Sequence, residues 1–266
     1  MKFFLISISL LCIILDVHEA CALDPLVLNQ NSPIHIDALH GITCEEDQKK
    51  CTANNGVRID QDGLLLNTNK LTTYFSEKTQ EAQLSKVIAE GHVVIKTKEN
   101  YHLECDRLTM NLGEQSLEAE GSNIKVLHED MLLNCNHSIQ YMIDQHRLKA
   151  IGDVTIKDRN YLLKSNEVIA YFNKNSEGKT QISKIVIPKD CVLSTPREYI
   201  EANQGDYDIK HNIVTLTGNV RITRESGQLR GDVVEVDLAS GNSFVKSKGS
   251  RVELLIIPQK RENYSR

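Results

Sequence analysis

The sequence has no tryptophan, few aromatic residues and only five prolines, and these shortages argue against some classes of protein. Few prolines and fourteen glycines exclude collagen-like and proline-rich chains. The formal net charge of −5 argues against a nucleic-acid binder, which needs a basic surface. Because 40% of the residues are apolar, the chain has enough hydrophobic material for a folded core.

Catalytic motifs are also absent from the sequence. It contains no H-E-x-x-H, G-x-S-x-G, P-loop or G-x-G-x-x-G pattern. The nine histidines are scattered, and we expect His92, His102 and His128 to be solvated surface residues. Acids such as Glu104 and Glu235 occupy outward alternate positions. We therefore expect no enzyme, no metal site and no cofactor.

Residues 1–22 have the pattern of a secretory signal peptide. Lys2 precedes a mostly apolar run over 3–15, and Ala20 and Ala22 form an A-x-A cleavage site. Thirteen helical residues span about 20 Å, less than the roughly 30 Å hydrocarbon core of a membrane. We expect cleavage after Ala22 and a periplasmic mature protein, with a retained inner-membrane anchor as the alternative.

The rest of the chain repeats with a period near 30 residues. A glycine followed by alternating β-branched residues recurs at Gly91, Gly121, Gly152, Gly218 and Gly249, with a looser copy at Gly56. One interval is about twice the others, and Ile185-Val186-Ile187 lies where the missing copy is expected. Repeats of this length indicate a stack of similar structural units.

A second motif alternates with the glycine motif. A large apolar residue is followed two positions later by a small one, and then by a triplet of mostly apolar residues at period two. The small positions hold Thr68, Cys105, Cys135, Ser165, Ala202 and Gly231. Period two throughout predicts an all-β, mostly antiparallel protein of about six units, with a bend or bulge in each.

No linker interrupts this pattern, so we expect a single domain over 33–257. We expect residues 23–32 to be a mobile N-terminal segment and 258–266 to be a flexible tail. Five cysteines remain after residue 22, an odd number. Cys44 and Cys51 flank a polar turn, where a hairpin disulfide is possible, whereas Cys105 and Cys135 occupy the small buried position of the repeat.

Several segments together resemble the OstA-like (LptA) family of periplasmic lipopolysaccharide transport proteins. They are the opening 33–37, with the sequence P-I-H-I-D, the repeated G-[ND]-V-x-[IV] units, and the stretches 213–220, 228–237 and 252–257. The resemblance implies a bent, repeat-built β-jelly roll that binds lipid A inside. It also implies a bridge between an inner-membrane LptC-like and an outer-membrane LptD-like protein. This chain carries about two additional units around 97–190.

The repeat pattern itself predicts an apolar binder, because an open stack of two sheets could accept acyl chains between them. The candidate groove residues are Ile34, Ile36, Val93, Ile95, Leu108, Met110, Val154, Ile156, Tyr207, Ile209, Val220, Ile222, Val234 and Val236. Plain core packing is the alternative for each, because core and groove residues share the same alternation.

The two ends of the stack are candidate assembly edges. They carry Ile34 and Ile36 in the first strand and Val252, Leu254 and Ile256 in the last. Unlike edges at opposite ends favour head-to-tail self-association. The hypothesis is a non-enzymatic lipopolysaccharide carrier. The alternatives are an anchored LptC-type relative of the same fold and a polysaccharide-binding β-solenoid, against which the absence of tryptophan weighs.

Overall fold

The computed structural model describes residues 24–29, 32–77, 82–175, 180–240, 242–247 and 251–257. These residues form twenty β-strands and two short 3₁₀ turns, and every strand pairing is antiparallel. The predicted all-β fold is therefore confirmed. The expected signal peptide at 1–22 and the tail at 258–266 lie outside the described residues.

The strands follow one another along the chain with short connections. In order they are β1 (His35–Asp37), β2 (Ile42–Glu45), β3 (Lys50–Gln61), β4 (Leu64–Glu77), β5 (Ala82–Lys96), β6 (Tyr101–Asn111), β7 (Ser116–Glu120), β8 (Ile124–His128), β9 (Met131–Cys135), β10 (Ser138–Met142), β11 (Arg147–Lys157), β12 (Leu162–Lys174), β13 (Thr180–Lys189), β14 (Cys191–Ser194), β15 (Glu198–Ala202), β16 (Gln204–Asp208), β17 (Ile213–Arg224), β18 (Gly227–Asp237), β19 (Ser243–Lys246) and β20 (Glu253–Ile256).

Each long strand bends, and its two halves pair with different neighbours. In β6, residues 107–111 pair with β7, whereas residues 101–104 pair with β8. In β12, residues 162–164 pair with β14 and residues 167–174 with β13. Repetition of this arrangement gives two facing sheets joined along a corner, with the buried apolar residues between them. The result is a bent, repeat-built antiparallel β-jelly roll.

The repeated glycine marks this corner. The register between β11 and β12 shifts between Ile151 and Val154, where Gly152 and Asp153 have φ values of +87° and +42°. A Cβ on Gly152 would lie 2.2 Å from Oδ1 of Asn136 on the preceding turn of the chain. Glycine is favoured here because the bulge requires positive φ and because Asn136, in the preceding layer, approaches closely.

The missing copy of the glycine motif lies elsewhere than we expected. Ile185-Val186-Ile187 is in the interior of β13, paired with β16. The corner of this layer is instead at Asp190, which has a φ of +53° and immediately precedes β14. Its Oδ2 accepts a hydrogen bond of 2.6 Å from Nδ2 of Asn166. The copy at Gly249 lies outside the described residues.

The small residue of the second motif lies beside the corner. It pairs across the ladder with the first inward residue after the bulge, as in Val93 with Cys105 and Val154 with Ser165. An Asn or Asp follows each small residue, at positions 69, 106, 136, 166, 203 and 232. These side chains form a polar row along the outside of the corner, including a 2.5 Å bond from Asn136 to Asp153.

The N-terminal segment is held by the first layer. We expected residues 23–32 to be mobile, but Leu26 and Leu28 are fully buried in the core. Gln61, at the end of β3, accepts a hydrogen bond from the backbone of Asn29 and donates to the carbonyls of Asn29 and Ser32. This segment therefore covers apolar residues at the N-terminal end of the stack.

The cysteines have two different environments. Cys44 and Cys51 are opposite one another in β2 and β3 and are joined by a disulfide, with their Cα atoms 4.0 Å apart. Cys105, Cys135 and Cys191 are buried free thiols. Burial raises the pKa of Cys105 to about 12 and that of Cys191 to about 11, so both thiols stay protonated at neutral pH.

Candidate functional site

An apolar cavity lies between the two sheets in the C-terminal half of the stack. Its volume is about 100 Å³, smaller than that of a typical ligand pocket, about 300–1,000 Å³. Strands β11 to β18 and the turn before β12 provide its walls. The apolar lining includes Ile156, Leu163, Ile185, Ile187, Leu193, Ile200, Val214, Leu216, Ile222 and Val236, with Tyr161 and Tyr207.

Alternation along the strands explains why this lining is apolar. In β17, Val214, Leu216 and Ile222 point inward, while Arg221 between inward neighbours is exposed. The bulge at Gly218 keeps both halves of β17 facing the interior, because it inserts an extra residue where the strand changes sheet. Period two on either side of the corner therefore builds one continuous apolar surface.

One ion pair interrupts the apolar lining. Glu198 at the start of β15 pairs with Nε of Arg224 at the end of β17, and both residues line the cavity. The Glu198 side chain is 4% exposed and that of Arg224 is 19% exposed. Burial raises the pKa of Glu198, and the adjacent guanidinium opposes this shift. The pair lies at the rim, beside the turns that end the hairpins.

Asp206, the other acidic residue on the cavity wall, forms its ion pair outside the cavity. Oδ2 of Asp206 lies 2.7 Å from Nζ of Lys184 on the neighbouring strand. This hydrogen bond raises the pKa of Lys184. The ion pair of Glu198 and Arg224, in contrast, lies within the cavity lining.

The candidate groove residues fall into three sets in the structure. Ile156, Tyr207, Ile222 and Val236 line the cavity together. A second set is almost fully buried in the core and does not line this cavity: Val93, Ile95, Leu108, Met110, Val154, Val220 and Val234. Ile34, Ile36 and Ile209 are partly buried against the core. Contact of any of these residues with lipid remains a prediction.

The candidate assembly edges differ from one another. In the last strand, β20, Leu254 is 54% exposed and Ile256 is 62% exposed, and the preceding Val252 is also exposed. Among the described strands β20 pairs only with β18. At the other end, β1 pairs with β3 and places Ile36 opposite Ile59. The C-terminal end thus exposes more apolar surface than the N-terminal end.

Sequence reasoning missed Glu198, Arg224 and Tyr161. Arg224 follows Val220 and Ile222 at period two. A charged residue at this third inward position was the signal in the sequence that could have identified Arg224 as part of the interior. His92 is exposed, as expected, whereas His128 is half-buried and stacks on Tyr101 with ring centroids 3.9 Å apart. His102 contacts Glu104 at 3.0 Å.

Among the described residues, no group of three or more His, Cys, Asp or Glu side chains is arranged to hold a metal ion. Within the same residues, the structure contains no helix with the length and hydrophobicity needed to span a membrane.

Comparison with known proteins links the cavity-bearing segment to a family. The family model of the LptA/LptD N-terminal domain lipopolysaccharide transport proteins matches residues 136–242 and 199–254. A solved structure of LptH, the LptA-homologous periplasmic component of the lipopolysaccharide transport device of Pseudomonas aeruginosa, is 12% identical. That match covers 57% of this chain and 82% of LptH, with a TM-score of 0.28. The search of curated proteins finds no match. The family model matches less than half of the chain, and residues 136–254 are therefore similar to the LptA/LptD N-terminal domain of lipopolysaccharide transport proteins.

Proposed function

We propose that this protein is a non-enzymatic periplasmic carrier that binds lipopolysaccharide through lipid A and helps to transfer it from the inner to the outer membrane. The observation that carries the proposal is the apolar cavity between the sheets, which lies within the segment matched by the family model. Each acyl CH₂ buried there contributes about 0.8 kcal/mol. Burial of part of an acyl chain would therefore favour binding without any catalytic group.

Two features of the chain support a periplasmic location. Residues 1–22 have the pattern of a signal peptide, which we propose is cleaved. The Cys44–Cys51 disulfide is a type of bond that persists in oxidising compartments such as the bacterial periplasm. Both features suit a protein that works between two membranes.

Assembly is the second part of the proposal. The edge of β20 can accept a further strand, because among the described strands it pairs only with β18 and its apolar side chains are exposed. Because the two ends of the stack are unlike, contacts between copies would be head-to-tail. We propose that the same ends contact inner-membrane LptC-like and outer-membrane LptD-like proteins and extend the apolar interior between them.

Photo-crosslinking at paired positions tests lipid binding. A photoreactive amino acid replaces Ile222, which lines the cavity, or Arg221, which is exposed on the outer face of the same strand. In cells that make lipopolysaccharide, we expect a crosslinked lipopolysaccharide adduct at position 222 and little at position 221. Equal labelling at both positions, or none at 222 in a folded protein, would refute lipid binding in this cavity.

A further inference from the structure

The two ends of the stack are covered to different degrees. At the C-terminal end, the side chains of Leu254 and Ile256 in β20 are more than half exposed. At the N-terminal end, Leu26 and Leu28 are buried in the same core as the inward residues of β3. The end layer of a repeat stack has no further layer against it, so its apolar residues need a cap. Residues 24–29, here called the N-terminal cap, provide this cover.

The N-terminal cap is attached by side chains and a few hydrogen bonds rather than by a strand ladder. It consists of the 3₁₀ turn Asp24–Leu26 followed by irregular chain. Gln61, which is buried at the end of β3, accepts a hydrogen bond of 2.8 Å from N of Asn29 and donates one of 2.7 Å to its carbonyl. Because only these contacts must break, the cap can open locally while the strands behind it stay paired.

The N-terminal cap and β20 present the same apolar pattern. Leu26 and Leu28 lie two positions apart, as do Leu254 and Ile256. Leu254 pairs directly with Leu229, whose side chain packs against the core. Directly opposed residues of a ladder share a face, and so do residues two apart in a strand. The last strand therefore carries, on its interior side, a pair of side chains like the pair that the cap buries at the other end.

The first layer has room for one such pair. Leu26 is fully buried and Leu28 is 3% exposed, so the N-terminal cap already occupies the interior there. A packed interior does not admit further side chains without strain. The last strand of a second copy can therefore continue the interior at this end only after the cap has left.

We propose that the N-terminal cap is an autoinhibitory segment that competes with β20 of a second copy for the N-terminal end of the stack. The inference rests on the assembly part of the proposed function and adds an element that limits assembly. Only uncapped chains accept a second copy, so the apparent dissociation constant is the intrinsic constant divided by the uncapped fraction. Weakening the cap therefore tightens association, and association displaces the cap.

Substitutions that weaken the cap test the competition. Leu28→Ser removes a buried apolar contact of the cap and leaves β1, β3 and β20 unchanged. Gln61→Ala is a second, milder change that removes the hydrogen bonds to the cap. We expect each folded variant to associate with a dissociation constant about tenfold lower than that of the parent, measured by light scattering. Tenfold corresponds to about 1.4 kcal/mol, the size of one net hydrogen bond. Leu127→Ser, at an exposed position of β8, is the control and should associate as the parent does.

A proline in β20 identifies the competitor of the cap. Leu254→Pro combined with Leu28→Ser should return the uncapped chain to a monomer, because the incoming strand has lost a ladder donor. Continued tight association of this double variant would mean that the cap does not compete with β20, and the proposal would fail.

Amide hydrogen exchange of the unmodified protein follows the cap itself. In dilute solution the amides of residues 24–29 should exchange slowly, because the cap is closed. Their exchange should become several-fold faster at concentrations where light scattering shows association. Cap amides that stay equally protected in the associated chains would overturn the proposal.

The outcomes separate this inference from the proposed function. If the parent and the cap variants associate equally through β20, head-to-tail assembly stands and the cap is not inhibitory. Folded cap variants that stay monomeric at every concentration would overturn both assembly and the cap. Tighter association of the cap variants, in a protein that shows no lipopolysaccharide crosslink at position 222, would support the cap while the carrier function fails.

Discussion

The ion pair of Glu198 and Arg224 is the interaction most sensitive to a single substitution. Arg224→Gln would leave a carboxylate that is 4% exposed without its cation. Because a broken buried pair leaves an uncompensated charge, we expect a loss of about 3 kcal/mol in the free energy of unfolding at pH 7. Denaturant unfolding measures this loss. Arg221→Gln breaks an exposed pair and should cost less than about 1 kcal/mol.

The pH dependence of this loss identifies its cause. Burial raises the pKa of Glu198 in the folded state, so its carboxylate destabilises the fold as pH rises through that pKa. Removal of Arg224 raises the pKa further. The loss should therefore be large at pH 7 and small near pH 4, where an unfolded glutamate with a pKa of about 4.3 is also largely protonated. An equal loss at both pH values would contradict this account.

At the residue scale, the alternation of apolar and polar residues predicts which side chains point inward. It does not predict which inward side chains line the cavity and which lie in the filled core. Val220 and Ile222 are inside and Arg221 is outside, as period two requires. Whether an inward residue contacts the cavity depends on the sizes of its neighbours in adjacent layers. Val93 and Leu108 fit the same pattern as Ile222 and are enclosed by well-filled core.

At the scale of one element, the corner depends on glycine conformation. Gly152→Ala places a side chain at a φ of +87° and against Asn136. We expect a loss of about 1–3 kcal/mol in the free energy of unfolding, from backbone strain. Gly113→Ala, in a turn with open space around it, should change stability little. Thermal unfolding of both variants checks this, and equal melting temperatures would show that the corner does not require glycine.

The corner also shows why one copy of the motif was misplaced. A bulge needs a residue that tolerates positive φ, and aspartate meets this need at position 190 with support from Asn166. A search for glycine therefore fails there. The Asn or Asp after each small residue marks the same corner more regularly, because it bonds across the bend between layers.

The N-terminal segment contributes a further element to the core. Leu26→Ala should reduce the free energy of unfolding by about 2–5 kcal/mol, as for other fully buried leucines. Leu39→Ala, at a position that is 79% exposed, is the matched control. If both variants unfold at the same denaturant concentration, residues 24–29 are not part of the stable core. The sequence did not indicate this contact because Val27, between Leu26 and Leu28, is also apolar, so the short segment shows no alternation of apolar and polar residues.

At the scale of the whole molecule, assembly should depend on the backbone of β20. N of Ile257 donates to the carbonyl of Ser226, and hydrogen-bonded pairs alternate along antiparallel strands. Leu255 therefore faces β18, and Leu254 directs its N–H to the free edge. Leu254→Pro removes that donor while preserving the pairing with β18.

Light scattering at increasing concentration measures the effect. We expect the mass of the parent to rise with concentration and the Leu254→Pro variant to remain monomeric and folded. Leu254→Ala keeps the N–H and should still associate. A parent that stays monomeric, or a proline variant that associates as the parent does, would exclude pairing through this edge.

Co-purification of lipopolysaccharide tests whether this protein carries lipopolysaccharide. The chain is isolated from the periplasm of cells that make lipopolysaccharide, and the folded protein is analysed by native mass spectrometry with release of lipid A. We predict bound lipopolysaccharide in the parent and its loss when Ile222→Asp places a carboxylate in the apolar cavity, whereas Arg221→Ser on the outer face of the same strand should retain it. A folded parent that carries no lipopolysaccharide, and acquires none when it is added, would contradict the account.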